Sequence, residues 1–426
     1  MATAADWLGS PDVARLGHAR PGEAADAVGG TTPALVIAPG TPQEAAAALQ
    51  WAARERLPTV IRGGGTKCGW GRPPSRVDVV LATSRLNGVV AHRYGDLTAT
   101  VQAGTTLTDL NRELAREGQW LPLESGFEGA TIGGLIATNE AGPLRHRYGT
   151  PRDLLIGITL ALTDGRLVKS GGHVVKNVAG YDLGKLVSGS YGTLAGVVDA
   201  TFKLSPLLPA SQTLALSYAE PGALAGDVAV VSGSQLEPLA VDLRLVVGPA
   251  GLVPLVPLVS QLLVRFATSP DATAAQASAA AALLKGKAEA RTGAAESALW
   301  TEQVRRPWVG DGAVVRLSWL PASLPDVLAI VDDLQRTNGG TFELTARAVV
   351  GAGFLRIDAD EPGVRASVER LRGSGVVSHV VVLRQPPGPA GGLDVWGPAG
   401  STAPVLRALK QTFDPAGILN AGRGPI

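Results

Sequence analysis

From position 34 onward the chain alternates short apolar runs with polar turns, and the period of each run predicts its element. Ala34-Leu35-Val36-Ile37 reads as a short buried strand. Thr41-Pro42-Gln43-Glu44 then opens a helix over 42–56, with a threonine to cap it, a proline suited to the first turn and a glutamate at the capping-box position. The next strand, 58–62, ends abruptly at Gly63-Gly64-Gly65. This strand–helix–strand opening is an α/β or α+β unit. Further strands are predicted at 77–81, 88–92 and 97–101, a helix at 107–117, and a long irregular glycine-rich region over 126–149. Strands 154–162 and 166–168 flank Thr163-Asp164-Gly165 as a hairpin. A last glycine-rich turn, 189–196, feeds a strand at 197–203. Ahead of position 31 the chain is polar and rich in Gly and Ala, which predicts a loosely packed lead-in.

The pattern changes after position 209. Strand 213–217, helix 222–231 and strand 240–247 precede an Ala-rich stretch, 271–300, that reads as helical. A series then follows: strand 313–319, helix 323–336, strands 342–350 and 354–358, helix 362–371, strand 376–383. The order β-α-β-β-α-β is that of a ferredoxin-like unit with an antiparallel sheet. A Pro/Gly-rich linker, 386–392, reads as a hinge, and a helix from Ala403 leads into the tail. The expected division is a lead-in at 1–30, a first domain at 31–208, a second at 209–392, and a segment at 393–426 returning to the first. Residues 245–264 carry no charge and approach the length that spans a bilayer. Pro249, Pro254, Pro257, Gly248 and Gly251 interrupt them, so they read as a buried strand, a turn and a short helix.

Composition narrows the chemistry. A chain of 426 residues exceeds the usual size of one core, which fits two domains. Lys plus Arg (38) nearly cancels Asp plus Glu (37), so no basic surplus exists to neutralise a nucleic acid. Cys68 is the single cysteine, which rules out an internal disulfide and an all-Cys metal or iron–sulfur site. His18, His92, His146, His173 and His379 are scattered without metal-ligand spacing, so no metal site is expected. His146 and His173 lie beside glycine-rich segments, where a structural role and a role facing a ligand both stay open. Trp300, Trp308, Trp319 and Trp396 fit core packing or a pocket wall. Positions 1–10 lack the charged and apolar regions of a secretory signal, and the expected location is cytoplasmic.

Three small-residue segments carry the candidate chemistry. Arg62-Gly63-Gly64-Gly65-Thr66-Lys67 directly follows a buried strand. Consecutive glycines can turn several N–H groups into one concavity and let a pyrophosphate approach, with Arg62 or Lys67 adding charge; a tight turn needing positive φ would use the same residues. Ala130-Thr131-Ile132-Gly133-Gly134-Leu135-Ile136-Ala137-Thr138-Asn139 is mostly too small to fill a core, so a flat ring system is a natural occupant. Gly189-Ser190-Tyr191-Gly192-Thr193-Leu194-Ala195-Gly196 has the same character. No G-x-G-x-x-G, Walker loop or G-x-S-x-G occurs, which removes the standard Rossmann, ATPase and simplest hydrolase readings.

In order and spacing, these segments resemble the FAD-binding family of the vanillyl-alcohol oxidase and p-cresol methylhydroxylase type, over about 34–206 and 414–423. A further block, Val175-Lys176-Asn177-Val178-Ala179-Gly180-Tyr181-Asp182-Leu183, resembles the FAD-binding subunit of glycolate oxidase and its D-lactate dehydrogenase relatives. So does the ending Phe413-Asp414-Pro415 with Gly417-Ile418-Leu419-Asn420-Ala421-Gly422-Arg423, where Ala421 replaces a usual proline. The resemblance implies an α+β fold with a two-part FAD-binding domain and a ferredoxin-like cap domain. It implies that Arg62, Gly63, Gly64, Gly65, Thr66 and Lys67 bind the FAD pyrophosphate, and that Thr131, Gly133, Gly134, Ala137, Thr138 and Asn139 run along the flavin. Gly126, Gly189, Ser190, Gly192, Thr193, Val197 and Asn420 complete the implied cofactor contacts. The histidine that tethers FAD in some relatives is absent from 65–67, and the cysteine that others use is absent from 126–129, so noncovalent FAD is expected. The His-rich metal motif of the 2-hydroxy-acid dehydrogenases is also missing, since only His379 follows His173. The expected function is therefore an FAD-binding subunit of a glycolate-oxidase-like complex acting on glycolate or D-lactate, with other subunits as partners, peripheral membrane association through one of them, and no catalytic base that the sequence names. A stand-alone FAD oxidoreductase on an alcohol or hydroxy acid, and a scaffold that has lost FAD, are the alternatives.

Overall fold

The computed structural model describes residues 4–173, 180–249, 259–385 and 393–425. The expected hinge 386–392, most of the block 175–183 and the turn expected within 245–264 lie outside the described residues. The chain divides into two compact units: residues 1–141, 149–207 and 398–426 form the first, and 142–148 with 208–397 the second. The sequence placed 142–148 in the first domain and began the returning segment at 393; the backbone groups both stretches, up to 397, with the second unit.

The first unit holds two main sheets and a short two-stranded pairing of 119–120 with 205–206. One contains β1 (His18–Pro21), β2 (Leu35–Ala38), β3 (Thr59–Arg62) and β4 (Val79–Ala82) in the order β1-β2-β4-β3. Strands β2, β4 and β3 run parallel; β2 and β4 read as unbroken apolar runs because both faces are covered, while β3 starts at Thr59 and ends at the half-buried Arg62. Helix α1 (Pro42–Arg54) crosses between β2 and β3. Thr41 Oγ1 accepts from Glu44 N–H at 3.1 Å, which meets one orphan donor of the first turn, while the Glu44 carboxylate takes the N–H of Gly40, just ahead of the cap, at 2.6 Å. Ala45, Ala48, Leu49, Trp51 and Ala52 form its buried stripe. The expected loose lead-in is instead part of this core: β1 pairs antiparallel with β2, and Val13, Leu16 and Val28 are buried. Those apolar residues stand singly in a polar stretch, so no periodicity announced them.

The second sheet of this unit is antiparallel: β5 (Val89–Arg93), β6 (Thr98–Gln102), β7 (Leu155–Ala161), β8 (Leu167–Gly171) and β9 (Gly196–Lys203), in the order β5-β6-β9-β7-β8. Helix α2 (Leu107–Leu114) follows β6, capped by Thr106. The region expected to be irregular contains helix α3 (Ile132–Thr138). Its glycines lower helix propensity, but Ile132, Leu135 and Ile136 are fully buried along one face and outweigh that penalty.

The second unit is one eight-stranded antiparallel sheet. Its first half runs β10 (Ala210–Ser217), α4 (Pro221–Gly233), β11 (Ala240–Val247), β12 (Val259–Thr268), α5 (Pro270–Leu283) and β13 (Lys287–Arg291). After α6 (Gly293–Arg305) the second half runs β14 (Ala313–Trp319), α7 (Leu324–Asn338), β15 (Thr341–Arg347), β16 (Ala352–Asp358), α8 (Glu361–Gly373) and β17 (Val377–Arg384). The sheet order is β13-β10-β12-β11-β15-β16-β14-β17. Each half is β-α-β-β-α-β with its fourth strand beside its first and its third beside its second, so the ferredoxin-like unit read at 313–383 is present twice. The halves join at the β11–β15 seam, where Leu245 lies opposite Leu344. Two readings are corrected here. The uniform helix at 271–300 is two helices around an edge strand, and the short helix expected before 264 is strand β12. Helix α9 (Ala403–Phe413) belongs to the first unit and leads into its tail.

Candidate functional site

Strand β3 delivers the chain to a cleft in the first unit. The walls are 61–68 from the glycine turn, Thr131, Gly134, Ala137 and Thr138 from α3 and its cap, Tyr191, and Asn420 and Arg423 from the tail. Among the residues the sequence singled out, Arg62, Gly63, Gly64, Gly65, Thr66, Lys67, Thr131, Gly134, Ala137, Thr138 and Asn420 thus meet in one place. Gly126, Gly133, Asn139, Gly189, Ser190, Gly192, Thr193 and Val197 are not in that lining. Ile61, Cys68, Tyr191 and Arg423 are in it and were not selected as site residues.

The glycines have two causes, which the coordinates separate. A Cβ on Gly63 would stand 2.1 Å from Thr131 Oγ1, and one on Gly64 would stand 2.1 Å from the Gly129 carbonyl oxygen. Both are needed so that the turn can pack on 129–131. Gly65 has φ +73°, which favours glycine without any packing demand. Gly133 faces Ala103, 2.9 Å from its virtual Cβ, and Gly192 (φ +67°) faces Asn420 Nδ2 at 2.7 Å. Only Gly134 is different: its Cβ would meet nothing nearer than its own capping Thr131 Oγ1, at 3.3 Å, so its bareness serves the cleft. The small-residue segments therefore pack on one another and still leave a cleft between them.

Charge at the turn is already compensated. The Arg62 guanidinium donates to Asp26 at 2.6 Å, and Asp26 also accepts two bonds from Arg20, at 2.6 and 2.9 Å. The Arg20 bonds foremost, helped by Arg62 and the Glu23 N–H, hold the Asp26 carboxyl far below the usual carboxylate range against the opposing effect of burial. Lys67 Nζ lies 2.6 Å from Glu140 Oε2, with both side chains at or below 5% exposure. Glu140 is fixed in turn by Ser125 Oγ (3.0 and 2.9 Å) and by the Gly126 N–H (3.2 Å), which is the place the structure gives Gly126. The ammonium also stands 5.4 Å from the Phe127 ring centroid. Arg62 and Lys67, expected to supply free positive charge, are thus spent on two buried carboxylates. What remains for an anion is the backbone: among the described residues no hydrogen bond takes the N–H of Gly64, Gly65, Thr66 or Lys67. A run of four unclaimed amides in one turn is an anion cradle.

The other lining groups are held from behind. Arg423 donates to the Cys68 and Trp70 carbonyls at 2.5 and 2.7 Å and is buried, which lowers its affinity for the proton. Burial pushes the Cys68 thiol up, against the pull of nearby Arg423 and Arg62, so it stays protonated. Asn139 ends α3 in the left-handed region (φ +47°), and its Oδ1 accepts from Arg152 N–H, facing away from a ligand role. Ser190 and Thr193 close their own turn, Thr193 Oγ1 donating to Ser190 O at 2.7 Å, and Val197 is buried in β9. Asn420 Nδ2 donates to the Tyr191 carbonyl at 2.8 Å, but its Oδ1 is buried without a donor. Among the described residues no group of three or more His, Cys, Asp or Glu side chains is arranged to hold a metal ion.

Comparison with known proteins points the same way. Residues 33–171 match the family of the FAD binding domain. The chain is 35% identical over 184 residues to a D-lactate dehydrogenase of Archaeoglobus fulgidus, covering 43% of this chain and 41% of that protein. It is 35% identical over 211 residues to glycolate oxidase subunit GlcD of Bacillus subtilis, covering 49% and 45%. The match thus spans less than half the length of either relative. Among solved structures, an alkyldihydroxyacetonephosphate synthase shares the fold, with a TM-score of 0.69 at 16% identity over 92% of this chain and 77% of that one. The matched residues contain β2, β3, the glycine turn and α3, so the cleft is built largely on them. The part of the chain that builds the cleft, within residues 33–171, is thus similar to the FAD binding domain, and that match supports FAD as the cofactor.

Proposed function

We propose that this protein is an FAD-dependent oxidoreductase that works as the flavin-binding subunit of a glycolate-oxidase-like complex, oxidising a 2-hydroxy acid such as glycolate or D-lactate. The observation that carries this reading is the cleft at the end of β3, with four unclaimed amides on one wall and the small face of α3 on another, inside the residues that match the FAD binding domain. In it, the pyrophosphate lies on 63–67, where main-chain amides rather than side-chain charge hold it. Gly134, Ala137 and Thr138 give the flavin a flat wall without bulk, and Thr131 keeps that wall in place by capping α3. Binding is noncovalent: the turn offers no histidine, and Cys68 is a protonated thiol rather than a nucleophile.

Bound FAD supplies a hydride acceptor that can pass electrons on singly or in pairs, while the protein supplies orientation and electrostatics. This chain's own residues orient the cofactor and keep it desolvated. The similarity to a glycolate oxidase subunit and to a D-lactate dehydrogenase supports 2-hydroxy acids as the substrate class. Other subunits are the proposed partners. Among the described residues no helix is long and apolar enough to cross a membrane, so any membrane contact is proposed to come through them, with the complex on the cytoplasmic side. Purified protein should be yellow and hold about one FAD. If glycolate and D-lactate bleach it only when partner subunits are present, the subunit reading stands. Bleaching by the protein alone makes it a stand-alone enzyme, and a colourless protein that takes up no FAD sinks the proposal.

A further inference from the structure

One face of the second unit's sheet packs on α4, α5, α7 and α8. The other face carries polar side chains, and its two halves are filled differently. In each half the first strand pairs with the third, β10 with β12 and β14 with β16. On β10 and β12 a carboxylate is already in place. Glu296 of α6, 1% exposed, accepts from Ser211 Oγ at 2.5 Å, Thr213 Oγ1 at 2.7 Å and Arg265 Nε at 3.1 Å. The same helix packs Trp300 on Ala215, Ala240 and Leu263. An acid of the chain itself closes this half.

On β14 and β16 no acid plays that part. Arg316 lies opposite Phe354 and Ser318 opposite Ala352, and Thr345 and Arg347 of β15 stand next in the same two rows. Arg316 and Ser318 are half-buried, and among the described residues no hydrogen bond or ion pair engages either side chain. Arg347 is 3% exposed, and the acid beside it, Asp242, stands 3.4 Å from its Nε. That Nε and Thr345 Oγ1 are both buried without a hydrogen-bond partner. The Arg347 guanidinium leans over β16, 5.2 Å from the Phe354 ring centroid, and Phe354 meets Trp308 at 5.4 Å. In the next row Glu343 is already shared by Arg244, Arg306 and Arg356, at 2.7, 3.2 and 2.9 Å. This half therefore has guanidinium donors in excess over an aromatic floor. A buried guanidinium is costly unless matched, and its forked N–H groups suit a carboxylate.

We propose that β14, β15 and β16 present a binding site for a small carboxylic acid, held by Arg316 and Arg347 with Ser318 as a neutral donor, on the strand pair equivalent to the one Glu296 fills. The site is built of arginine, not of the His-rich metal motif that this sequence lacks. The inference rests on the reading above only in taking the acid to be the 2-hydroxy acid substrate. There it makes the carboxylate, rather than the hydroxyl, the group that separates a hydroxy acid from an alcohol.

The test is isothermal titration calorimetry of the full chain loaded with FAD. The probes are glycolate, oxalate as an acid with no hydride to give, and ethylene glycol as the uncharged counterpart. Wild type should bind both acids and not the diol. Arg316→Met should weaken oxalate about tenfold or more with melt and flavin absorbance unchanged, and Arg316→Lys should restore part of the loss. Ser318→Ala should weaken oxalate about fivefold, and it carries the test if Arg316→Met does not fold. Folded Arg316→Met that binds oxalate as tightly as wild type overturns the site, and so does FAD-loaded wild type that binds neither acid. Protein that takes up no FAD yet binds oxalate through Arg316 overturns the flavin reading and leaves this site standing.

Discussion

Replacing Gly134 by alanine, with Gly64→Ala as its counterpart, separates packing from binding at the cleft. Gly134 lies inside α3, and an added methyl meets only Thr131 Oγ1, at 3.3 Å, which has to give by a few tenths of an ångström. Alanine is better than glycine in a helix interior by roughly 0.8–1 kcal/mol. The apoprotein should therefore keep or gain stability, with Tm rising up to about 2–4 °C in a domain of roughly 200 residues. The same methyl stands on the cleft wall, so FAD affinity should fall by about tenfold or more, as when a close ring contact is lost. Gly64 is the opposite case. Its methyl would sit 2.1 Å from the Gly129 carbonyl oxygen, a backbone atom, so one wall must retreat by about 1 Å, at roughly 1–3 kcal/mol of overpacking. Its apoprotein should melt lower, and FAD binding should fall with it. Differential scanning fluorimetry of the apoproteins and equilibrium FAD titration give both numbers for each variant. A Gly134→Ala protein that melts lower yet binds FAD as well as wild type would refute the reasoning, because the small residues of α3 would then exist only for packing.

Three further outcomes follow from the charges around the turn. Lys67→Met or Glu140→Gln alone should cost about 3–5 kcal/mol in urea unfolding, since each strands or unmatches a buried partner, whereas the double variant should recover much of that loss. Asp26→Asn should destabilise the protein at neutral pH. Asp26 has a depressed folded pKa, so its contribution is full above about pH 4, the ordinary carboxylate value, and fades as pH falls toward the folded pKa; the gap between variant and wild type in urea midpoint should close only in strong acid. Because Arg62 and Lys67 are already matched by Asp26 and Glu140, FAD affinity should depend weakly on salt, and a steep loss measured by titration between low and high ionic strength would contradict an amide-based anion site.

Local signals carried much of the fold. The Thr41 cap, the apolar parallel strands and the β-α-β-β-α-β order at 313–383 are each written within a few dozen residues, and the structure has all three. The repeat of that order in 210–291 escaped notice because its closing edge strand, Lys287–Arg291, is fully exposed and reads Lys-Ala-Glu-Ala-Arg, a composition that favours helix. At the site, glycine spacing marked the turn and α3, but it could not distinguish Gly63 and Gly64, which make room for protein, from Gly134, which makes room for a ligand. The partners of Arg62 and Lys67 lie at positions 26 and 140, distant in sequence, so nothing local indicated that their charge is spent. Arg423 sat within the recognisable tail and could have been chosen on its proximity to Asn420; Tyr191, between two selected glycines, could have been chosen likewise.

Hydrogen–deuterium exchange of the apoprotein with and without FAD tests the central claim most directly, because it reads the amides themselves. The account predicts that FAD slows exchange in peptides covering 63–68 and 131–138, where the N–H groups of Gly64 to Lys67 are unclaimed until the pyrophosphate arrives. Saturation with FAD that leaves both peptides exchanging at the apoprotein rate would contradict it.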